Sequence, residues 1–140
     1  MGREYPGESR LKERQEWADA AYRRQPLCMC CGKKFPWPGP QVHEMERKSQ
    51  AVRRWAHACN YLLVCEPCHA GPLATMPHVE QLARKYLMDR ERFDLETWLT
   101  LRVGQQPRAI TMGDVMQAVG ELGELRLIVQ PARERFRWRM

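Results

Sequence analysis

The residues best suited to chemistry fall within the stretch from position 28 to position 69. Two Cys-x-x-Cys pairs, Cys28-Met29-Cys30-Cys31 and Cys65-Glu66-Pro67-Cys68, bracket that stretch. In the second pair two residues separate the cysteines, and in the first the same spacing joins Cys28 to Cys31. Such spacing lets both thiolates turn toward one tetrahedral ion while knuckle amides face the sulfurs. Four thiolates from two pairs make a closed structural zinc site, and zinc binding of this kind supplies roughly 10–16 kcal/mol of apparent free energy. Gly32, directly after Cys31, suits the tight turn of a knuckle. Of the six cysteines, Cys30 and Cys59 are left over and read as small buried side chains.

The residues between the pairs, Gly32 to Val64, number 33, more than the roughly 15–20 of a simple zinc ribbon. Something is inserted there, and it carries His43-Glu44 and Asn60, with His69 just beyond the second pair. Metal-assisted hydrolysis of a phosphodiester needs a cation with few protein ligands, leaving positions for a phosphate oxygen and the leaving group. It also needs a group that takes a proton from water. Two imidazoles and a carboxylate are of the right type. Neighbours on a regular strand face opposite ways, so His43 and Glu44 converge only where the strand ends or kinks.

The series Cys-x-x-Cys-Gly, then Val42-His43-Glu44, then Asn60-Tyr61-Leu62-Leu63-Val64-Cys65-x-x-Cys68-His69 resembles the zinc-containing HNH, or His-Me finger, nucleases. The likeness spans Cys28 to about His69, and its most specific part is Asn60 followed by Cys65-x-x-Cys68-His69. It implies a ββα-metal fold and nicking or cleavage of DNA, double-stranded by expectation, with Mg2+ or Mn2+. Many small members of that family come from phages and other mobile elements. Members commonly carry Asp-His or His-His after an apolar residue, the first binding metal and the second activating water. In that register His43 and His69 are the metal ligands and Glu44 stands at the base position, as base, water-positioner or further ligand. In the alternative register His43 is the base and Val42 stands where a ligand belongs. Asn60 would hold the loop through side-chain to backbone hydrogen bonds.

Charge points the same way. With 23 basic and 17 acidic side chains the net charge is +6, which favours a polyanionic partner, since each cation set on a phosphate releases a condensed counterion. Arg47, Lys48, Arg53 and Arg54 crowd the segment between His43 and Asn60. A bare run of charge is a solvated face, but beside a nuclease site these residues read as phosphate contacts. The ending PARERFRWRM interleaves arginines with Phe136 and Trp138, either to stack on nucleic acid or to pack on a partner. The second function class is a non-catalytic zinc-dependent nucleic-acid-binding or adaptor protein, kept open by Glu44 at the base position. A ribonuclease is a third.

No run approaches the roughly 18 apolar residues of a membrane span, and the first residues lack the apolar core of a signal peptide. A cytoplasmic protein with reduced thiols is expected, in which cysteine pairs bind metal rather than form disulfides. There is no Gly-rich phosphate loop and no Ser-His-Asp arrangement.

The elements that must position these residues divide into three segments: an N-terminal helix within 1–26, a zinc-bound core over 27–77, and a helical extension with a basic tail over 78–140. The first helix runs from a Ser9 cap to about Arg24, with a thin apolar side and a surface position. Pro36, Pro38, Gly39 and Pro40 mark a turn with a short strand on either side. Asn60 to Val64 is a short apolar run. After His69 the helix is short, interrupted by Gly71 and Pro72. Val79, Leu82, Ala83, Tyr86 and Leu87 form one helical stripe. Asp94 caps a helix over 95–99, and Thr111 with Asp114 opens another whose packed face holds Met112, Val115, Met116 and Val119. Leu125, Leu127 and Val129 alternate as a final strand. The fold class expected is α+β, a zinc-stapled ββα core with flanking helices that brace the core, form a homodimer surface or meet a protein partner.

Overall fold

Pro6 opens the first helix, three residues before the expected Ser9 cap. Its missing N–H and preset φ suit a first helical position. The computed structural model of the chain describes residues 6–37, 39–46, 57–101 and 109–123. Arg47, Lys48, Arg53, Arg54, the expected strand over 125–129 and the Arg-rich tail lie outside them.

Helix α1 (Pro6–Arg24) is more than a surface helix. It buries Trp17, Ala18 and Ala21, and the Trp17 ring lies 5.3 Å from that of Tyr61. Strands β1 (Pro40–Glu44) and β2 (Tyr61–Cys65) form a two-stranded antiparallel sheet with Val42 opposite Leu63 and His43 opposite Leu62. Sequence places a strand on each side of the proline turn. Only an isolated bridge between Leu27 and Lys34 precedes that turn, and β1 takes its partner from β2. All five residues of β2 are buried, so its backbone groups must be satisfied by protein rather than water, and β1 supplies the ladder.

The strand period of two divides the sheet's faces. Val42, Glu44, Tyr61 and Leu63 share the face that meets α1, while His43 and Leu62 share the other. Helix α2 (Glu66–Ala70) follows β2 without a linker and ends at Gly71. A Cβ on Gly71 would lie 2.8 Å from the Pro67 carbonyl oxygen, so the turn admits only glycine without rearrangement.

Helices α3 (His78–Met88), α4 (Leu95–Leu99) and α5 (Met112–Glu121) complete the described fold. Asp94 accepts the Thr97 amide and caps α4. Thr111 and Asp114 cap α5 reciprocally. Helix α5 packs on α3. Its buried residues are Val115 and Ala118, and Met112 and Met116, expected on the packed face, are 41% and 42% exposed. Val115 and Val119 meet the core and Ala118 is buried beside them, which turns both methionines outward. Residues of α1, the sheet, α3, α4 and α5 share one apolar cluster.

A buried ionic knot ties three of these elements. Asp89 accepts from Trp17 Nε1 at 3.1 Å, Arg24 Nη2 at 2.8 Å and Lys85 Nζ at 2.6 Å. Lys85, fully buried, also donates to the Tyr61 carbonyl at 2.7 Å and sits 4.7 Å over the Trp17 ring. Burial pulls the Lys85 ammonium down to a pKa of about 8, against the pull of Asp89. No helix among the described residues is long and apolar enough to cross a membrane.

Candidate functional site

The sulfurs of Cys28, Cys31, Cys65 and Cys68 all lie within 4.8 Å of one another. The first knuckle is closed by Gly32 N–H donating to the Cys28 carbonyl at 2.7 Å and Cys28 N–H to Lys33 at 2.8 Å, with Gly32 in the left-handed region at φ 79°. The second is set by the junction of β2 and α2, where Cys65 is the helix N-cap. Three amides, of Cys30 at 3.3 Å, Cys31 at 3.5 Å and Cys65 at 3.3 Å, point at Cys28 Sγ. Burial alone would raise the Cys28 thiol, but these amides bring it below its usual pKa.

The other sulfurs show why such a cluster wants a cation. Burial, then the neighbouring Cys28, pushes the Cys31 thiol up to about 11 and raises Cys68 further. Four thiolates so close cannot all ionise unless a positive ion sits among them. The all-sulfur set fits zinc, whose ~2.3 Å bonds place tetrahedral sulfurs ~3.8 Å apart. Cys30 and Cys59 stay outside the four-sulfur group. Cys59 is buried, and burial pushes its thiol up to about 12.

Beside the cluster two imidazoles meet. Cys68 and His69 are consecutive on α2, so the knuckle that holds Cys68 also holds His69 against β1. The rings of His43 and His69 lie 5.4 Å apart, edge to face at 77°. His69 is exposed and His43 half-buried. On its inner side His43 Nε2 lies 2.8 Å from Gln81 Oε1, and Gln81 Nε2 donates to the Met76 carbonyl at 2.8 Å.

Glu44 is not brought to this pair. The ladder continues through it, opposite Tyr61, so it faces α1, where Arg14 Nη1 donates to its Oε2 at 2.6 Å. The strand neither kinks nor ends before Glu44, and alternation sends its carboxylate to the opposite side of the sheet from His43. The carboxylate expected as base or water-positioner is therefore turned away.

Asn60 is fully buried and makes a two-point clip on the backbone of Glu46. Its Oδ1 accepts the Glu46 amide at 2.7 Å and its Nδ2 donates to the Glu46 carbonyl at 2.9 Å. Trp98 Nε1 donates to the same Oδ1 at 3.1 Å, and Met45 N–H donates to the Asn60 carbonyl at 2.9 Å. The clip joins the exit of β1 to the entry of β2 and so fixes the strand that carries His43.

The remaining histidines brace the structure. His57 Nδ1 accepts the Cys59 amide at 3.2 Å and caps the short turn over Ala58–Asn60. His78 Nε2 meets the Met45 carbonyl at 3.0 Å, with its ring 5.1 Å from that of Trp98. The four arginine and lysine residues expected as phosphate contacts lie outside the described residues. Within them, Lys33 and Lys34 are exposed next to the first knuckle, and Trp37, on a turn closed by Gly39 N–H to the Pro36 carbonyl at 2.7 Å, is 93% exposed.

No family model, curated protein or solved structure matches this chain.

Sequence reasoning missed Gln81, which has no place in the apolar stripe of α3 and matches no metal or catalytic spacing. It also missed Lys85 and Asp89, which read as an ordinary i, i+4 surface pair until α1 covers them.

Proposed function

We propose that this chain is a metal-dependent nuclease of the HNH type, acting on DNA. The observation that carries the reading is the 5.4 Å edge-on approach of His43 and His69 beside the four-cysteine cluster. Two imidazoles at this separation, one of them exposed, are a donor set that suits a divalent cation with open positions. Mg2+ or Mn2+ there would polarise a phosphate oxygen and make water easier to deprotonate. The chain's own part is to hold His43 on β1 and His69 on α2, with Asn60 locking the strand exit and the zinc knuckles fixing α2. Lys33 and Lys34 offer cations to phosphate and Trp37 offers a ring on which a base can stack. Purified protein should convert supercoiled plasmid to nicked or linear forms with Mg2+ or Mn2+. His43→Ala and His69→Ala should abolish this while zinc content and fold persist, and indifference to both substitutions would defeat the assignment.

One observation favours the second reading, a non-catalytic zinc-dependent nucleic-acid-binding or adaptor protein. Among the described residues no third His, Cys, Asp or Glu joins the two histidines at metal-shell spacing. That reading expects DNA retardation on a gel with no metal-dependent cutting.

A further inference from the structure

We infer that Gln81 sets the working nitrogen of His43: it holds the proton on Nε2, so that Nδ1 is the atom presented to a cation. The catalytic consequence rests on the nuclease reading above, whereas the proton assignment does not.

The argument begins at the Met76 carbonyl, which can only accept. The group of Gln81 that lies 2.8 Å from it must therefore be the NH2. This directs Gln81 Oε1 to His43, and an amide oxygen also only accepts, so the ring nitrogen 2.8 Å away carries the hydrogen. In the neutral ring the basic lone pair is then on Nδ1. Gln81 is 3% exposed, so water has little access to take over either bond. A ring N–H given to a fixed carbonyl-type oxygen orients the imidazole and makes its other nitrogen a better donor.

The same turn of α3 grips the strand twice. His78 and Gln81 are three residues apart and share a helix face. His78 reaches the Met45 carbonyl while Gln81 reaches the His43 ring, two positions earlier on the same chain segment. The amides of Glu80 and Gln81 both donate to the Pro77 carbonyl, at 3.1 and 3.2 Å, which holds the first turn of α3 in place. Helix α3 thus registers His43 from behind, while α2 brings His69 to its side. Gln81 is a positioning residue that touches neither cation nor substrate.

The test uses the zinc-loaded full chain. Long-range 1H–15N spectra of the histidine rings should show His43 with its proton on Nε2. In Gln81→Met, which keeps length and volume but has no acceptor, the ring should shift to the other tautomer or a mixture. Mn2+ affinity, read by water proton relaxation, should fall about 10–100-fold, as for other losses of a ligand's hydrogen-bond partner. Gln81→Glu, which retains an oxygen at that place, should keep the proton on Nε2. A wild-type spectrum with the proton on Nδ1 overturns the inference even if no variant folds, and so does a Gln81→Met spectrum identical to wild type. If the spectra behave as expected but no protein cuts plasmid, the nuclease reading fails and the positioning role stands.

Discussion

The cysteine cluster and the histidine pair are neighbours, joined through Cys68-His69 on one short helix, yet they are built in opposite ways. The cluster gathers four like donors within 4.8 Å, three of them buried, with amides aimed at Cys28. The pair has two donors, one half-buried and one exposed. A full set of protein ligands leaves a metal no work except to hold the chain, whereas an incomplete set leaves room for water and phosphate. The contrast teaches that one five-residue helix, α2, carries Cys68 of the four-sulfur cluster and His69 of the histidine pair on adjacent positions, so whatever fixes the cysteine also places the imidazole.

The largest effect should come from breaking the closed side. Cys65→Ala, Cys68→Ala or zinc removal by a strong chelator should unfold the core, a loss on the order of the roughly 10–16 kcal/mol that structural zinc contributes. Circular dichroism and zinc content measure it, and a chain that keeps its fold without metal would erase the distinction between the two regions. On the open side, His43→Ala or His69→Ala should remove plasmid cleavage but shift the unfolding midpoint by only a few degrees. Equal damage to stability would make the histidines part of the staple.

Asn60→Ala should fall between these extremes. It strands the Glu46 amide and carbonyl and the Trp98 N–H, each worth about 1–3 kcal/mol when left buried without a partner. Chemical denaturation should show a loss of a few kcal/mol, together with loss of cleavage as the β1 exit loosens.

The buried knot behind the sheet gives a pH test. The Lys85 pKa in the fold is lowered to about 8 from an ordinary 10.5. Between those values the unfolded chain binds this proton and the folded chain has released it, so stability rises with pH across that window, by up to about 1.4 kcal/mol per pH unit. Measured as wild type minus Lys85→Met, which cancels the ionisation of cysteines, the difference should move in favour of wild type from pH 8 to about 10. A difference that moves the other way would mean that Asp89 holds the ammonium charged.

The smallest effect is expected at Glu44. Its partner Arg14 is on a partly exposed surface, where an ion pair contributes about 0–1 kcal/mol. Glu44→Gln should leave cleavage within about twofold of wild type and barely alter unfolding. A hundredfold loss of activity would return the carboxylate to the site.

What could be read without coordinates was local. The two cysteine pairs, the caps at Asp94 and Thr111, the all-apolar β2 and the stripe of α3 each depend on residues within a few positions of one another, where spacing alone dictates geometry. The rule that neighbours on a strand diverge was equally legible, and it is the rule that separates Glu44 from His43.

The rest depended on contacts that no spacing encodes. His43 meets Gln81 across 38 residues and Asp89 meets Trp17 across 72. A glutamine in a helix and a lysine four residues before an aspartate look like solvated side chains until other elements cover them. By itself the sequence determined that two Cys-x-x-Cys pairs and the imidazoles of His43, His57 and His69 are available in one stretch, because residue type and short-range spacing set ligand chemistry. The tertiary structure decided which nitrogen, which face and which partner each uses, because direction in space comes from how the sheet and helices pack against one another.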